Sequence, residues 1–283
     1  MTRDDAVVEV VGAILVLAAI VLFVALASAS WLPVWTADRE AGRADLVRAA
    51  VEDWAADADA HAVRALEDRT FSRSVPLGDA GLPLLGIGAT GGRLTVEAGP
   101  TAALYSAATE VATASGSLAA STDSLRFPQQ TFRDSLGALE VRQGEGTWVD
   151  LRGLLSASRA DGGNVALAFR FQSLAGAPQV VAANGRVDAL GALRAVDDAV
   201  APDAAYARLV VTDIPADAWR AASTRTLEAA ALVGDTRVDC ATTTLDWCLD
   251  AATNDASTLD LWILDPAAGW TASVATFDVE VRT

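Results

Sequence analysis

Few side chains in this sequence have the type and spacing that chemistry needs. Its two cysteines, Cys240 and Cys248, lie eight residues apart, with Asp246 and Trp247 just before the second. Two thiols so spaced can meet across a loop, and in an oxidising compartment they would close a disulfide adding about 2–3 kcal/mol. Zinc is the rival, but it needs further ligands, and the single histidine, His61, lies far off in a helical stretch between Asp57 and Arg64. No nucleophile can be assembled around His61 from local sequence. Gly86-Ile87-Gly88-Ala89-Thr90-Gly91 spells a dinucleotide-binding pattern. That motif works by opening a helix onto a pyrophosphate, whereas Gly92-Arg93-Leu94-Thr95-Val96-Glu97 reads as a strand, so a turn is expected. Asp246, Asp250, Asn254, Asp255 and Asp260 crowd oxygen ligands that suit Ca²⁺, without the glycine or spacing of an EF-hand loop, and read as a solvated acidic loop. Carboxylates abound, yet nothing singles out an acid–base pair. The expectation is no enzyme, no cofactor and no resident metal.

Net charge bounds the partners more firmly. Asp and Glu number 37 against 21 basic residues, giving −16, and every basic residue is Arg. Such a surface repels nucleic acid. Acidic, Lys-free composition suits a protein kept soluble in concentrated salt, and it also suits a GC-rich genome that favours Arg, Ala, Gly and Asp codons.

The positioning element for everything else is the N-terminus. From Val10 to Ala37 no side chain is charged, and Val10 to Leu32 supplies 23 residues, enough to cross a lipid core about 30 Å thick at roughly 1.5 Å per residue. No second run of that length follows, so one anchor carries an ectodomain on a single side, long enough for one large domain or two modest ones. A secretory signal is one reading, since Ala25-Leu26-Ala27 and Ala27-Ser28-Ala29 offer small residues for cleavage. Its n-region is wrong, because Arg3 is outnumbered by Asp4, Asp5 and Glu9, and the apolar run continues through Trp31-Leu32-Pro33-Val34-Trp35. A plain anchor leaves Glu9 unexplained: a carboxylate at the lip of an apolar helix is costly unless paired. A cut between Ala6 and Val7 would place a new amine two residues from Glu9.

Asp4-Asp5-Ala6-Val7-Val8-Glu9-Val10-Val11-Gly12-Ala13-Ile14-Leu15 resembles the processing region of type IV pilin-like proteins of halophilic archaea, in which a charged and a small residue precede the cut and an apolar helix with an early Gly follows. The resemblance implies a prepilin peptidase acting between Ala6 and Val7, Glu9 as the charge partner of a neighbour's amine, and membrane lipid and other pilin-like subunits as partners. It also implies an ectodomain outside the cell and a place in the cell membrane or a surface filament. Arg3 against Arg39 and Arg43 gives no positive-inside bias of its own.

Beyond the anchor, Val47, Val51, Trp54, Ala58, Ala62 and Leu66 recur at helical steps and form a thin stripe that needs a partner, either the ectodomain's sheets or an identical helix. Pro33 is expected to kink or restart the helix, with Trp31 and Trp35 in the membrane interface. Strands are expected at Thr70–Val75, Arg93–Ala98, Ala138–Arg142, Asn164–Ser173, Gln179–Val187, Ala207–Thr212, Thr258–Leu264 and Ser273–Arg282, with a hairpin turn at Asn184-Gly185 and a short helix over Pro215–Ser223. The Ala-, Ser- and Thr-rich stretch Thr101–Ser124 reads as a connector. Trp148, Trp219, Trp247, Trp262 and Trp270 are either an aromatic binding face or core filling, with core the default. The fold class is α+β, a long N-terminal transmembrane and stalk helix followed by a mainly antiparallel β ectodomain. Its divisions are a leader over 1–6, a membrane helix over 7–36, a stalk over 37–69, a first β region and connector over 70–124, and a β-rich head over 125–283. The function expected is a pilin-like structural or assembly protein; the alternative is a tethered binding module or adhesin for carbohydrate or calcium.

Overall fold

In the computed structural model, one helix, α1 (Arg3–Val63), runs 61 residues from the N-terminus into a β-rich head. The structure describes all residues except 1–2, 68, 79–88, 152, 160–164, 201–205, 231, 233, 238–239, 241–245, 251–254 and 265–269; the side chains of 3–10, 159, 165, 199–200 and 235–237 also lie outside the description. Along α1 the residue types explain the helix: Ala is the commonest residue, Leu, Glu and Arg are strong helix formers, and breakers are few. Pro33 lies inside it, so of the kink or restart expected there the helix makes no restart. A single missing N–H removes only one bond from a long ladder. The helix ends at Val63 and not near 69. There the N–H of Leu66 bonds the carbonyl of His61 and the N–H of Ala65 that of Ala62, while Ala65 takes φ 47°. This is the cap that glycine usually supplies.

The strands follow in chain order: β1 (Thr70–Pro76), β2 (Gly92–Ser106), β3 (Thr109–Thr122), β4 (Gln130–Ser135), β5 (Ala138–Gln143), β6 (Gly146–Asp150), β7 (Leu155–Arg159), β8 (Val165–Ala175), β9 (Gln179–Ala183), β10 (Arg186–Val200) and β11 (Ala207–Thr212). After α2 (Ala216–Ala229) come β12 (Gly234–Arg237), β13 (Trp247–Asp250), β14 (Thr258–Ile263) and β15 (Trp270–Arg282). One sheet has the order β1-β10-β15-β8-β7; the other runs β12-β13-β14-β11-β2-β3-β4-β5-β6, with β9 also on β2. Among the described residues pairing is antiparallel except for β15 on β8 and β12 on β13. The fold is thus α+β, a long apolar helix and a mostly antiparallel sandwich.

Thr101–Ser124 is no connector. It supplies most of the central β2–β3 hairpin, where small side chains lie against both sheets: Ser117, Ala119, Ala120 and Thr122 are buried, and the Ser115 backbone bonds across to the Ser173 hydroxyl of β8. Gly116, at φ 103°, comes so close to Leu174 that a Cβ would sit 2.9 Å from it. The Asn184-Gly185 hairpin is also overturned. β9 pairs with β2 in the larger sheet while β10 pairs with β1 and β15 in the smaller, so the dipeptide turns a corner between sheets. The expected helix at Pro215 is longer than read, extending to Ala229, with Trp219 buried as foreseen.

The second half of α1 lies against β1 and β10 of one sheet and β3 and β4 of the other. Ala44, Val47, Val51, Trp54 and Ala58 are its buried stripe and share a core with Phe71, Val75, Leu94, Val96, Leu118, Phe132, Leu193 and Phe277. Trp54 packs 5.5 Å from Phe71 and 6.4 Å from Phe277, centroid to centroid. Gly191 makes room for Phe71, since a Cβ there would fall 2.4 Å from its ring. The stripe's partner is therefore the head's own sheets. A second core joins the far half of the larger sheet, β7, β8, β15 and α2.

Candidate functional site

Among the described residues, the first half of α1 from Val11 on is covered by no other element. From Val11 the large apolar side chains stand open: Ile14, Leu15, Val16, Leu17, Ile20, Val21, Leu22, Phe23, Val24 and Leu26 are 54–65% exposed, and Trp31 reaches 70%. The run is long and apolar enough to span a membrane. Its few hydroxyls are satisfied internally: Ser28 donates to the Val24 carbonyl, Ser30 to Leu26 and Thr36 to Leu32, at 2.6–2.7 Å. Such back-bonding is how a polar side chain is carried into hydrocarbon without an orphan donor. Phe23, Ala27, Trp31 and Trp35 line one face, where Ala27 and Ser28 leave a notch of about 370 Å³ between the aromatic rings. The Arg39 guanidinium lies 5.0 Å from the Trp35 ring, placing a cation beside an aromatic at the end of the run.

Two polar residues mark where the bare half meets the head. The buried Glu40 carboxylate accepts the backbone N–H groups of Leu125, Arg126 and Phe127 at 2.9, 2.8 and 2.7 Å. Burial pushes its pKa up, but the three amide donors together with the nearby Arg43 outweigh that and hold it below 4.5. Arg43, one turn on, donates to the Thr90 hydroxyl and, at 2.9 Å, to the Asp123 carbonyl. The pair ties the β3–β4 loop to the helix shaft.

Of the sequence-derived site residues, Ala6, Val7 and Glu9 fall within α1, with side chains outside the described ones. Cys240 and Cys248 are joined, S–S 1.98 Å, and both are buried. Cys248 sits on β13 opposite Trp262 of β14. The acidic cluster is dispersed into other work. Asp260, fully buried, takes a bidentate pair from Arg208 at 2.9 and 2.6 Å, and Asp255 accepts from the Ser257 amide and hydroxyl. Asn254 lies outside the described residues, as do Gly86, Ile87 and Gly88. Among the described residues no three His, Cys, Asp or Glu gather as metal ligands. His61 is half-buried against Phe71, with Nδ1 2.8 Å from the Asp57 carbonyl.

The tryptophans divide. Trp219, Trp247 and Trp270 are core. Trp148 is exposed beneath Arg48, and Trp262 belongs to a row across the outer face of the larger sheet, in which Arg208 lies between Tyr105 (5.8 Å) and Trp262 (5.0 Å), with Tyr206 4.7 Å from Trp262. Strand register produces the row, since Tyr105, Arg208 and Trp262 are directly paired.

Two further features bear on chemistry. Asp134, on β4, is fully buried, and burial pushes its carboxyl up to about 7, with Glu140 adding and the Gly137 amide opposing. Glu140 is raised by burial too, against a 2.7 Å bond from Trp219 Nε1 and Arg133 at 3.8 Å. A cavity of about 360 Å³ opens where the end of α1 meets β8, β10 and β15, walled by Asp59, Glu67, Arg170, Gln172 and Asp198 among others. It presents carboxylates, an amide and one guanidinium, without a cysteine or histidine among its lining residues. Sequence reasoning missed Glu40, Arg43, Arg208, Asp134 and Glu140. Only the first two had a legible signal, because they extend the stripe of Val47 and Val51 backwards in helical steps.

Comparison with protein families, with characterised proteins and with solved structures finds no match.

Proposed function

We propose that this chain is a pilin-like, non-enzymatic surface protein, anchored by its N-terminal helix and displaying the β sandwich outside the cell. One observation carries the reading: a single helix that is bare and uncharged from Val11 to Ala37 and docked in its own head from Glu40 to Ala58. Such a rod has one surface to give to lipid or to sister helices and another already used. In this reading a prepilin peptidase cuts between Ala6 and Val7, and the new amine pairs with Glu9 of a neighbour. Cys240–Cys248 staples the head in an oxidising compartment. Sequencing the N-terminus of the mature protein from its native membranes tests the processing step. A start at Val7 is expected; a start at Met1 removes the processing claim, and one near Ser28 favours a secreted protein. Glu9→Leu should leave membrane insertion intact and abolish recovery of helix-bundled assemblies by cross-linking.

The second reading, a tethered binding module that never assembles, is favoured by the Tyr105–Arg208–Trp262 row, whose flat, clamped faces suit a sugar ring. Glycan binding lost on Trp262→Ala, in a chain that stays monomeric in membranes, would establish it. Calcium-dependent melting of the same monomer would point instead to the acidic loops.

A further inference from the structure

Among the described residues beyond α1, the most exposed large apolar side chain is Leu125, at 69%. It sits in the loop joining β3 to β4, and that loop is held in place. Its amides at 125, 126 and 127 all enter the Glu40 carboxylate, the Asp123 carbonyl takes Arg43, and Phe127 packs against the core that contains Trp54. Next to Leu125, Arg126 is exposed and makes no ion pair among the described residues.

Position gives these two side chains a meaning. Glu40 follows Trp35 by five residues, about 7.5 Å along a helix axis, and helical side chains lean toward the N-terminus, which here is the anchor end. The loop therefore lies within about one headgroup layer of Trp35, a zone roughly 5–8 Å deep on each side of the hydrocarbon. The geometry points to loop 123–128 as a second membrane contact: Leu125 enters the boundary between acyl chains and headgroups, and Arg126 donates to lipid phosphate. The inference rests on the anchor reading and names what its outer end touches. Lipid is the occupant favoured over another copy of the chain because Glu40 ties the loop to α1 five residues beyond Trp35, where the exposed apolar run ends. Its charge agrees at the exposed Arg126, whose guanidinium matches phosphate. A loop clamped at a fixed height on the shaft would set how the head leans and turns over the bilayer, which helix length alone leaves open.

Spin labels on Leu125→Cys, Leu22→Cys and Val180→Cys, each in the full chain reconstituted in liposomes of phosphatidylcholine and phosphatidylglycerol, test this by relaxation with oxygen against a water-soluble nickel chelate. All three sites are exposed, and the native cysteines are buried in their disulfide. The expected result is a label at 22 deep in lipid, one at 180 in water, and one at 125 with an oxygen-to-nickel ratio several-fold above that at 180. If 125 matches 180 while 22 is in lipid, the loop inference is wrong and the anchor stands. If 22 itself is water-accessible, the anchor reading fails. A label at 125 that is shielded from both probes and broadened by a second spin assigns the loop to a neighbouring copy, which also overturns the proposal.

Discussion

The two halves of α1 share one unbroken helix and have opposite environments. Residues 11–35 place an apolar side chain on every face, so no direction around the axis is different from any other, and no sheet covers them. Residues 40–58 bury one apolar stripe, flanked by Arg48, Glu52, Asp53 and Asp57 with Leu46 left exposed outside it, and that stripe is wedged between two sheets. The contrast teaches that the distribution of charge around one continuous helix decided which length stays uncovered and which is consumed by folding. Glu40 and Arg43 sit at the border and turn a change of environment into a fixed joint.

The sharpest way to break this contrast is to damage each half separately. Trp54→Ala, a deletion in the docked half, should cost about 3–5 kcal/mol of head stability, seen as a lower denaturation midpoint of the full chain in detergent, with membrane partitioning unchanged. Leu17→Arg should do the reverse. A charge near the centre of the run costs about 2.5–3.5 kcal/mol of insertion, visible as extraction of the chain by alkaline carbonate, with head melting preserved. Were either variant to move both readouts together, the two halves would not be independent.

Smaller effects come from ionisable groups in and beside the head, and they have opposite signs. Asp134 is raised from 3.8 to about 7, so between those values the native state binds more protons than the unfolded chain, and stability falls as pH rises. Asp134→Asn should remove a loss on the order of 2 kcal/mol between about pH 5 and 7, measured as a flatter pH dependence of the denaturation midpoint. Glu40 is lowered from 4.5, so its contribution is present above that value and is lost as the pH falls through its folded value. Glu40→Gln should cost about 1–2 kcal/mol at neutral pH and raise amide exchange at Leu125, Arg126 and Phe127, leaving Trp54 packing intact. The least effect is a gain. Ala65→Gly relieves the left-handed cap at the end of α1 and should stabilise by about 0.5–1 kcal/mol, read as a small rise in melting temperature.

How much was legible depended on contrast between side chains. The strand Ala207–Thr212 is legible to its limits, because Leu209 and Val211 alternate with Arg208 and Val210 between turn residues. β3 was missed because Ala, Ser and Thr fill both of its faces, which hides the alternation where two sheets press on small side chains. Asn184-Gly185 has the right residues for a hairpin, yet its flanking strands find better partners in different sheets. The cysteine pair was read from spacing, and its bond is present. Asp260 was grouped with its sequence neighbours, but its mate is Arg208, 52 residues away, reached only through strand register.

The sequence alone determined the apolar rod, the stripe on its outer half, the single disulfide and the mainly antiparallel character of the head, because each depends on local periodicity or on residues close together in the chain. Tertiary structure decided what covers the stripe, how Glu40 binds a loop 85 residues away, and which aromatic side chains stay at the surface. Those outcomes depend on which strands become neighbours, and strand pairing is a competition among distant segments that no local pattern encodes.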